Sequence, residues 1–336
     1  MRRRHFLHTV LIGSGLGAGL ASRPLFAAGG QAAGSQPAGA PPRTARNGSR
    51  GPIIDVHMHA YPADEAIPAD AINPATGRPP GVKDGAAHMQ ACLAEMKRLN
   101  IVTGVVSGGS GDRLGAALQW HDAAPDRIIA GAGVRGSEDT PLPPLDVLRK
   151  AFAEKRLRVL GELTAQYAGL KLDDRKYQEY LALAEEFDIP VAVHTGLGGP
   201  GISYDPCCRG FRASLGNPAL LEEALNQHPK LRMNVMHGGW PYVQETIALL
   251  LSYPKVYTDI GAINWILPRA EFHAYLSTMM RAGLGKRVLF GSDQMYWPEA
   301  IGMAVDAVDA ATFLSPSAKR DIFHDNAMRF LNMTPS

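Results

Sequence analysis

Cysteine is scarce in this chain, with three residues in 336: Cys92, Cys207 and Cys208. An odd number with two neighbours in sequence excludes a disulfide framework, so an apolar core must hold the fold. The apolar fraction of 46% is enough for a large one. Cys92 falls on the apolar face of a helical segment with Met89, Leu93 and Met96. Cys207 and Cys208 read as ordinary loop thiols, with a vicinal pair or a share in a metal site as the alternatives. A basic stripe is also missing. Net charge is +2, but residues 1–50 carry seven arginines and no acidic residue, which leaves 27 basic against 32 acidic side chains beyond them. That balance excludes a surface built to hold nucleic acid. No apolar run is long enough for a stable membrane span, and no repeat of 20–50 residues recurs.

The N-terminal region has the layout of a targeting segment. "RRRHFL" (2–7) is a basic stretch containing a twin arginine, "TVLIGSGLGAGLA" (9–21) is a short apolar stretch, and "LFAA" (25–28) offers small residues for cleavage. Residues 1–28 are therefore expected to be a twin-arginine-type export signal. The export machinery would be a partner and the mature protein periplasmic or secreted. The alternating Gly13, Gly15, Gly17 and Gly19 could suggest a nucleotide loop, but no strand precedes them and no βαβ unit follows. Residues 29–50 are low in complexity and rich in Gly, Ala and Pro, as in a disordered linker. The expected folded domain is 51–336.

From residue 51 onward, strand and helix alternate. Apolar runs of strand length lie at 53–58, 101–106, 128–134, 157–163, 190–194, 231–236, 255–260 and 287–291. None carries a polar face, as in a parallel sheet covered on both sides. Helical periodicity fills the gaps, as at 88–100 and at 177–188, where Tyr180, Leu181, Ala184 and Phe187 share a face. Asn217 and Pro218 are placed as N-cap and first residue of another helix. Eight strand–helix units predict a single (β/α)8 barrel rather than a doubly wound open sheet.

In a barrel, chemistry collects at the C-terminal ends of the strands. Strand one ends in His57 and His59, whose i, i+2 spacing points both imidazoles to one face about 7 Å apart. Strand four ends near Glu162, strand five in His194, strand six in His237, and Asp293 follows strand eight. The remaining histidines of the folded part, His88, His121, His228, His273 and His324, fall in helices or loops and are expected on exposed faces. Taken singly, each strand-end group has an ordinary reading: a hydrogen-bonded histidine, a rim ion pair for Glu162, a helix cap for Asp293. Taken together, uncompensated ionisable groups crowded in one mouth cost several kcal/mol, and a bound cation removes most of that cost.

The ordered set "DVHMH", "VHTG", "MHGG", "FGSD" and "HDNAMRFLNM" over about residues 52–333 resembles the amidohydrolase superfamily. Its amidohydrolase-related branch, which includes aminocarboxymuconate-semialdehyde decarboxylase, is the most similar. The resemblance implies a distorted TIM barrel with one or two divalent ions, zinc first and manganese as the alternative. It implies that His57, His59 and His194 are metal ligands, that Asp293 is a ligand or general base, and that His237 polarises substrate or moves a proton. Members with two metals often carry a bridging Lys or Glu at the end of strand four, whereas decarboxylase-like members manage with one metal. Glu162 therefore favours a hydrolase that attacks an ester, lactone or amide carbonyl with metal-bound hydroxide. A metal-dependent, non-oxidative decarboxylase is the alternative, and a binding protein with a degenerate site is the third reading. The long loop 195–217 brings Arg209 and Arg212 as candidates for holding a substrate carboxylate, and Trp240, directly after "HGG", is the candidate for a pocket wall. Tyr61, Trp265, Tyr296 and Trp297 also follow strands. A small, carboxylated organic compound is the expected substrate. A homo-oligomer is left open.

Overall fold

A computed structural model of the chain describes residues 51–108, 113–134 and 142–334. The expectations of an export signal and a linker fall on residues 1–50 and lie outside the described residues. Eight parallel strands run in the order β1 to β8: β1 Ile53–Ala60, β2 Ile101–Gly108, β3 Ile128–Val134, β4 Val159–Leu163, β5 Val191–Val193, β6 Met233–Val235, β7 Val256–Asp259 and β8 Val288–Leu289. Parallel neighbours require crossovers, and these are helical: α1 Gly85–Leu99, α2 Arg113–Ala123, α3 Leu145–Ala153, α4 Arg175–Glu186, α5 Glu222–Gln227, α6 Val243–Ser252, and the pair α7 Ile263–Ile266 and α8 Arg269–Arg281. After β8 come α9 Glu299–Asp309, α10 Pro316–Arg320 and α11 Asn326–Phe330. The helices begin where the sequence offers an acceptor. Asp84 caps α1 by accepting from Ala87 N at 2.8 Å, and Asp174 caps α4 by accepting from Lys176 N. On α4, Tyr180, Leu181 and Ala184 are buried as expected, and Phe187 forms the C-cap. Asn217 and Pro218 open a 3-10 turn, Pro218–Leu221, that leads into α5.

The seam between β8 and β1 is closed by mixed bonds. Val56 N donates to Phe290 O at 3.0 Å and Asp293 N to His57 O at 2.7 Å. The Gln294 side chain takes the place of a strand peptide, accepting from His59 N (3.1 Å) and donating to His59 O (2.9 Å).

Two apolar clusters divide the core. The larger joins the outer faces of the strands to the helices and includes Met58, Ala60, Leu160 and Leu163. The smaller fills the barrel interior with Ile54, Val56, Val105, Ile129, Val159, Ala192 and Leu289, and is plugged by Phe330 and Leu331 from the C-terminal tail. The parity of two strands changes along their length. The four residues of β1 from Asp55 to Met58 span three of β2, Gly104 to Val106, and β4 gains a residue between Leu160 and Leu163 against both neighbours. An extra residue in a strand re-aims the side chains beyond it. Because of it, His57 and His59 share the interior with Val56, and Glu162 faces inward although Leu160 and Leu163 face the helices.

Three sequence expectations need correction. Cys207 and Cys208 form a vicinal disulfide rather than free loop thiols. His88 is fully buried, not exposed: it lies one turn before Cys92 on the inner face of α1, against Tyr61 and Trp120. His228 is buried as well, held by Glu185 and Gln178.

Candidate metal centre

Each strand-end group is fixed by a neighbour that sets which of its atoms faces the barrel mouth. On β1, His57 Nδ1 lies 3.2 Å from Asp259 Oδ2, leaving Nε2 to face Asp293 Oδ1 at 3.6 Å. Asp259 ends β7 and is saturated with donors: Oδ1 accepts from Gly261 N (2.8 Å) and His237 N (3.2 Å), and Oδ2 from Asn234 Nδ2 (2.7 Å). His59 Nε2 lies 2.8 Å from Asp293 Oδ1 and 3.7 Å from Glu162 Oε2. His194, just past β5, donates from Nδ1 to Gln166 Oε1 at 3.0 Å and turns Nε2 toward Tyr167 Oη at 3.4 Å. His237 donates from Nδ1 to Gly261 O at 3.1 Å, while its Nε2 stands 3.9 Å from Glu162 Oε1. A histidine whose other nitrogen is tied to a carboxylate, amide or carbonyl has its tautomer and ring orientation set for binding a metal.

The backbone at this end departs from ordinary strand geometry. His237 and Asp293 sit at φ +59° and +48°, a region that non-glycine residues enter only where the surroundings impose it. Gly291 is needed for another reason, since a Cβ there would lie 2.7 Å from His57 Cβ. This close approach accounts for the glycine of "FGSD".

The cluster is buried, and its charges depend on one another. For Asp293, burial opposes ionisation, but the His57 and His59 imidazoles outweigh it and bring the carboxyl down to about 2. Glu162 is held well below the usual carboxylate range by His237, His194 and His59, again against its burial. Burial pushes His57 down, yet the Asp293 and Asp259 carboxylates raise it to about 10. Burial and the neighbouring His237 lower His194 to about 3. Asp55, fully buried and accepting from His57 N and Ser292 N, is raised to about 7 by desolvation. The carboxylates thus require positive charge in their midst.

Three groups of side chains could hold an ion by proximity: His57–His59–Glu162, Glu162–His194–His237 and His57–His237–Asp259. The third is a poor ligand set, because both Asp259 oxygens already accept from protein donors. The other two fit. His57 Nε2 and Asp293 Oδ1 are buried and make no hydrogen bond, a costly state for isolated polar atoms. The 2.8 Å approach of His59 Nε2 to Asp293 Oδ1 does not have hydrogen-bond geometry either, as befits two lone pairs aimed at a common point. Ligands about 2.1 Å from one ion lie about 3.0–3.4 Å apart, close to the observed separations of 2.8–3.9 Å.

The structure thus brings together all six groups named from the strand ends: His57, His59, Glu162, His194, His237 and Asp293. Arg209 and Arg212 are exposed on the loop after β5, and Arg212 Nη1 donates to the carbonyls of Arg209 and Phe211. Trp240 is half-buried at the rim, with its indole 3.4 Å from Glu271. Trp265 and Trp297 are buried packing residues whose indoles bond Ser292 O and Ala71 O. Tyr61 stacks on Tyr296. Sequence reasoning missed Asp259, although an acid ending strand seven is the signal that located Glu162 and Asp293. It also missed Gln166, Gln294 and Tyr167.

Residues 54–333 match the family model described as Amidohydrolase. Among curated proteins, Protein fluG of Emericella nidulans is 28% identical over 115 residues, which is 34% of this chain and 12% of that much longer protein. Similar solved structures include an uncharacterised TIM-barrel protein of Bordetella bronchiseptica (TM-score 0.62, 20% identity, 83% of this chain and 98% of that one). A probable 2-pyrone-4,6-dicarboxylic acid hydrolase of Acinetobacter baumannii follows (0.59, 16%, 84% and 99%), and so does a 5-carboxyvanillate decarboxylase of Sphingomonas paucimobilis (0.55, 14%, 84% and 99%). At these identities the structures share the fold, and they include a hydrolase and a decarboxylase alike. Since the family's pattern runs through every strand that feeds this cluster, the chain belongs to the amidohydrolase family.

Proposed function

We propose that this enzyme is a metal-dependent hydrolase that opens an ester, lactone or amide carbonyl of a small, carboxylated organic compound. The observation that carries the reading is Glu162, a buried carboxylate inside the ligand cluster, within 3.7 Å of His59 and 3.9 Å of His237. It would make the site able to hold one or two ions, zinc or manganese. His57, His59 and His194 are the imidazole ligands, with Asp293 and Glu162 as the anionic ones. A divalent ion held there supplies Lewis acidity and makes water a nucleophile near neutral pH.

The chain's own residues do the rest. Asp293 stays ionised at neutral pH and faces His57, His59 and His237, so it can take a proton from the attacking water and return it to the leaving group. His237 has Nδ1 held by Gly261 O, and against its burial the facing carboxylates raise its pKa; in its imidazolium form it donates from Nε2 to the substrate oxygen as charge develops. Arg209 and Arg212 are the candidates for holding the substrate carboxylate, and Trp240 for one wall. The same reading takes residues 1–28 as an export signal and places the enzyme outside the cytoplasm.

The test uses chelator-treated and zinc-reloaded enzyme on a panel of carboxylated lactones, esters and amides in 18O-labelled water. Hydrolysis lost with the metal and restored by zinc, with label in the product acid, is expected. Carbon dioxide release with no label in the organic product would instead identify a decarboxylase. Turnover by metal-free protein would exclude the mechanism, and no turnover with any form would leave a binding protein.

A further inference from the structure

Gln166 occupies the 3-10 turn Ala165–Ala168 just after β4, four residues past Glu162, and is almost fully buried. Its amide makes three bonds. Oε1 accepts from His194 Nδ1 at 3.0 Å, and Nε2 donates to Gly196 O at 3.0 Å and to Arg212 O at 3.2 Å. Gly196 and Arg212 lie on the two stems of the loop 195–217, which close on each other where Gly196 N donates to Gly216 O at 2.8 Å. The fit is tight: a Cβ on Gly216 would lie 2.7 Å from Gln166 Nε2 and 2.2 Å from Gly196 O. The adjacent Tyr167 repeats the connection through ring contacts, with its ring edge-on to His194 (4.9 Å) and to the buried Phe211 of the loop (5.1 Å).

We infer that Gln166 is a positioning residue that couples metal binding at His194 to ordering of the loop 195–217. The amide has one orientation that satisfies all three partners. Its oxygen fixes the proton on His194 Nδ1 and so presents Nε2 as a ligand. Its nitrogen then holds both loop stems. A flipped amide would oppose an N–H to the His194 N–H and an oxygen to two carbonyls. Metal on Nε2 fixes the imidazole, the imidazole fixes the amide, and the amide fixes the loop that carries Arg209 and Arg212. By linkage, a closed loop strengthens metal binding by the same factor.

This inference rests on the metal-centre reading, and the experiment separates the two. Zinc binding is measured by competition with a chelating dye, and backbone hydrogen exchange of residues 197–212 is followed with and without zinc. This is done for the full chain, Gln166→Glu and Gln166→Leu, with circular dichroism confirming that each is folded. Wild type should bind zinc and slow loop exchange on binding it. Gln166→Glu keeps the acceptor for His194 and loses the donor for the loop. It should bind zinc within a few-fold of wild type while its loop stays in fast exchange, whether or not zinc is bound. Gln166→Leu loses both and should bind zinc roughly 10-fold more weakly, in the range for groups that orient a metal-ligating histidine. Zinc-dependent slowing of the loop in either variant to the wild-type extent would overturn the coupling, as would wild type that binds zinc without a loop response. Wild type that binds no zinc would overturn the metal-centre reading as well.

Discussion

At the residue scale, the strand-end groups stand in pairs with a second residue that aims them toward the barrel mouth. Asp259 is the clearest aiming residue, holding His57 Nδ1 while accepting from His237 N, Gly261 N and Asn234. Asp259→Asn keeps the shape but replaces an acceptor oxygen by an amide that opposes these donors. Metal affinity should fall roughly 10- to 100-fold with the fold retained. Unchanged affinity in a chelator competition would show that Asp259 does not orient the site. His88 makes a different prediction. Burial lowers its pKa to about 4 from the ordinary 6.5, so the folded state holds it neutral while the unfolded chain takes up a proton below pH 6.5. Stability should be fully present above that value and decline as pH falls toward 4, by about 3 kcal/mol from this residue. Urea denaturation at pH 7 and pH 4 should show a smaller loss for His88→Asn than for wild type. An equal loss in both would contradict this account.

At the element scale, two one-residue irregularities put the ligands where they are. Without the extra residue in β1 and in β4, Met58 and Leu163 would take the inward positions of His57 and Glu162. The eight strands are legible from the sequence to within about two residues because buried parallel strands are continuous apolar runs bounded by turns. The strand-end histidines are legible for the same reason, since they interrupt such runs. The irregularities are not, because they exist only relative to neighbouring strands. Gln166 and Gln294 are not legible either, because neutral amides follow no spacing rule and gain their roles from partners at least 28 residues away. Asp259 was legible and overlooked. So was His88, which shares the face of Cys92 and Met96 at four-residue spacing. The tail "HDNAMRFLNM" has a physical reason as well. Asn326 bonds Gly285 O and Val288 O, and Phe330 closes the bottom of the barrel. Phe330→Ala should cost about 3–5 kcal/mol and lower Tm while leaving metal stoichiometry unchanged in the folded protein. Loss of metal at full stability would contradict this separation of bottom from top.

At the scale of the whole molecule, the barrel separates stability from chemistry. Apolar residues and the C-terminal plug fill the lower interior, and the upper end gathers four histidines and three carboxylates from β1, β4, β7 and the ends of β5, β6 and β8. Those groups are far apart in sequence, and what they share is a place for a cation. Metal-to-protein stoichiometry by elemental analysis, on protein stripped with chelator and reloaded with zinc, tests that most directly. At least one equivalent is expected in wild type, with loss of bound zinc in folded His57→Ala and His59→Ala. Wild-type protein that retains no zinc, or variants that retain the full complement, would contradict it.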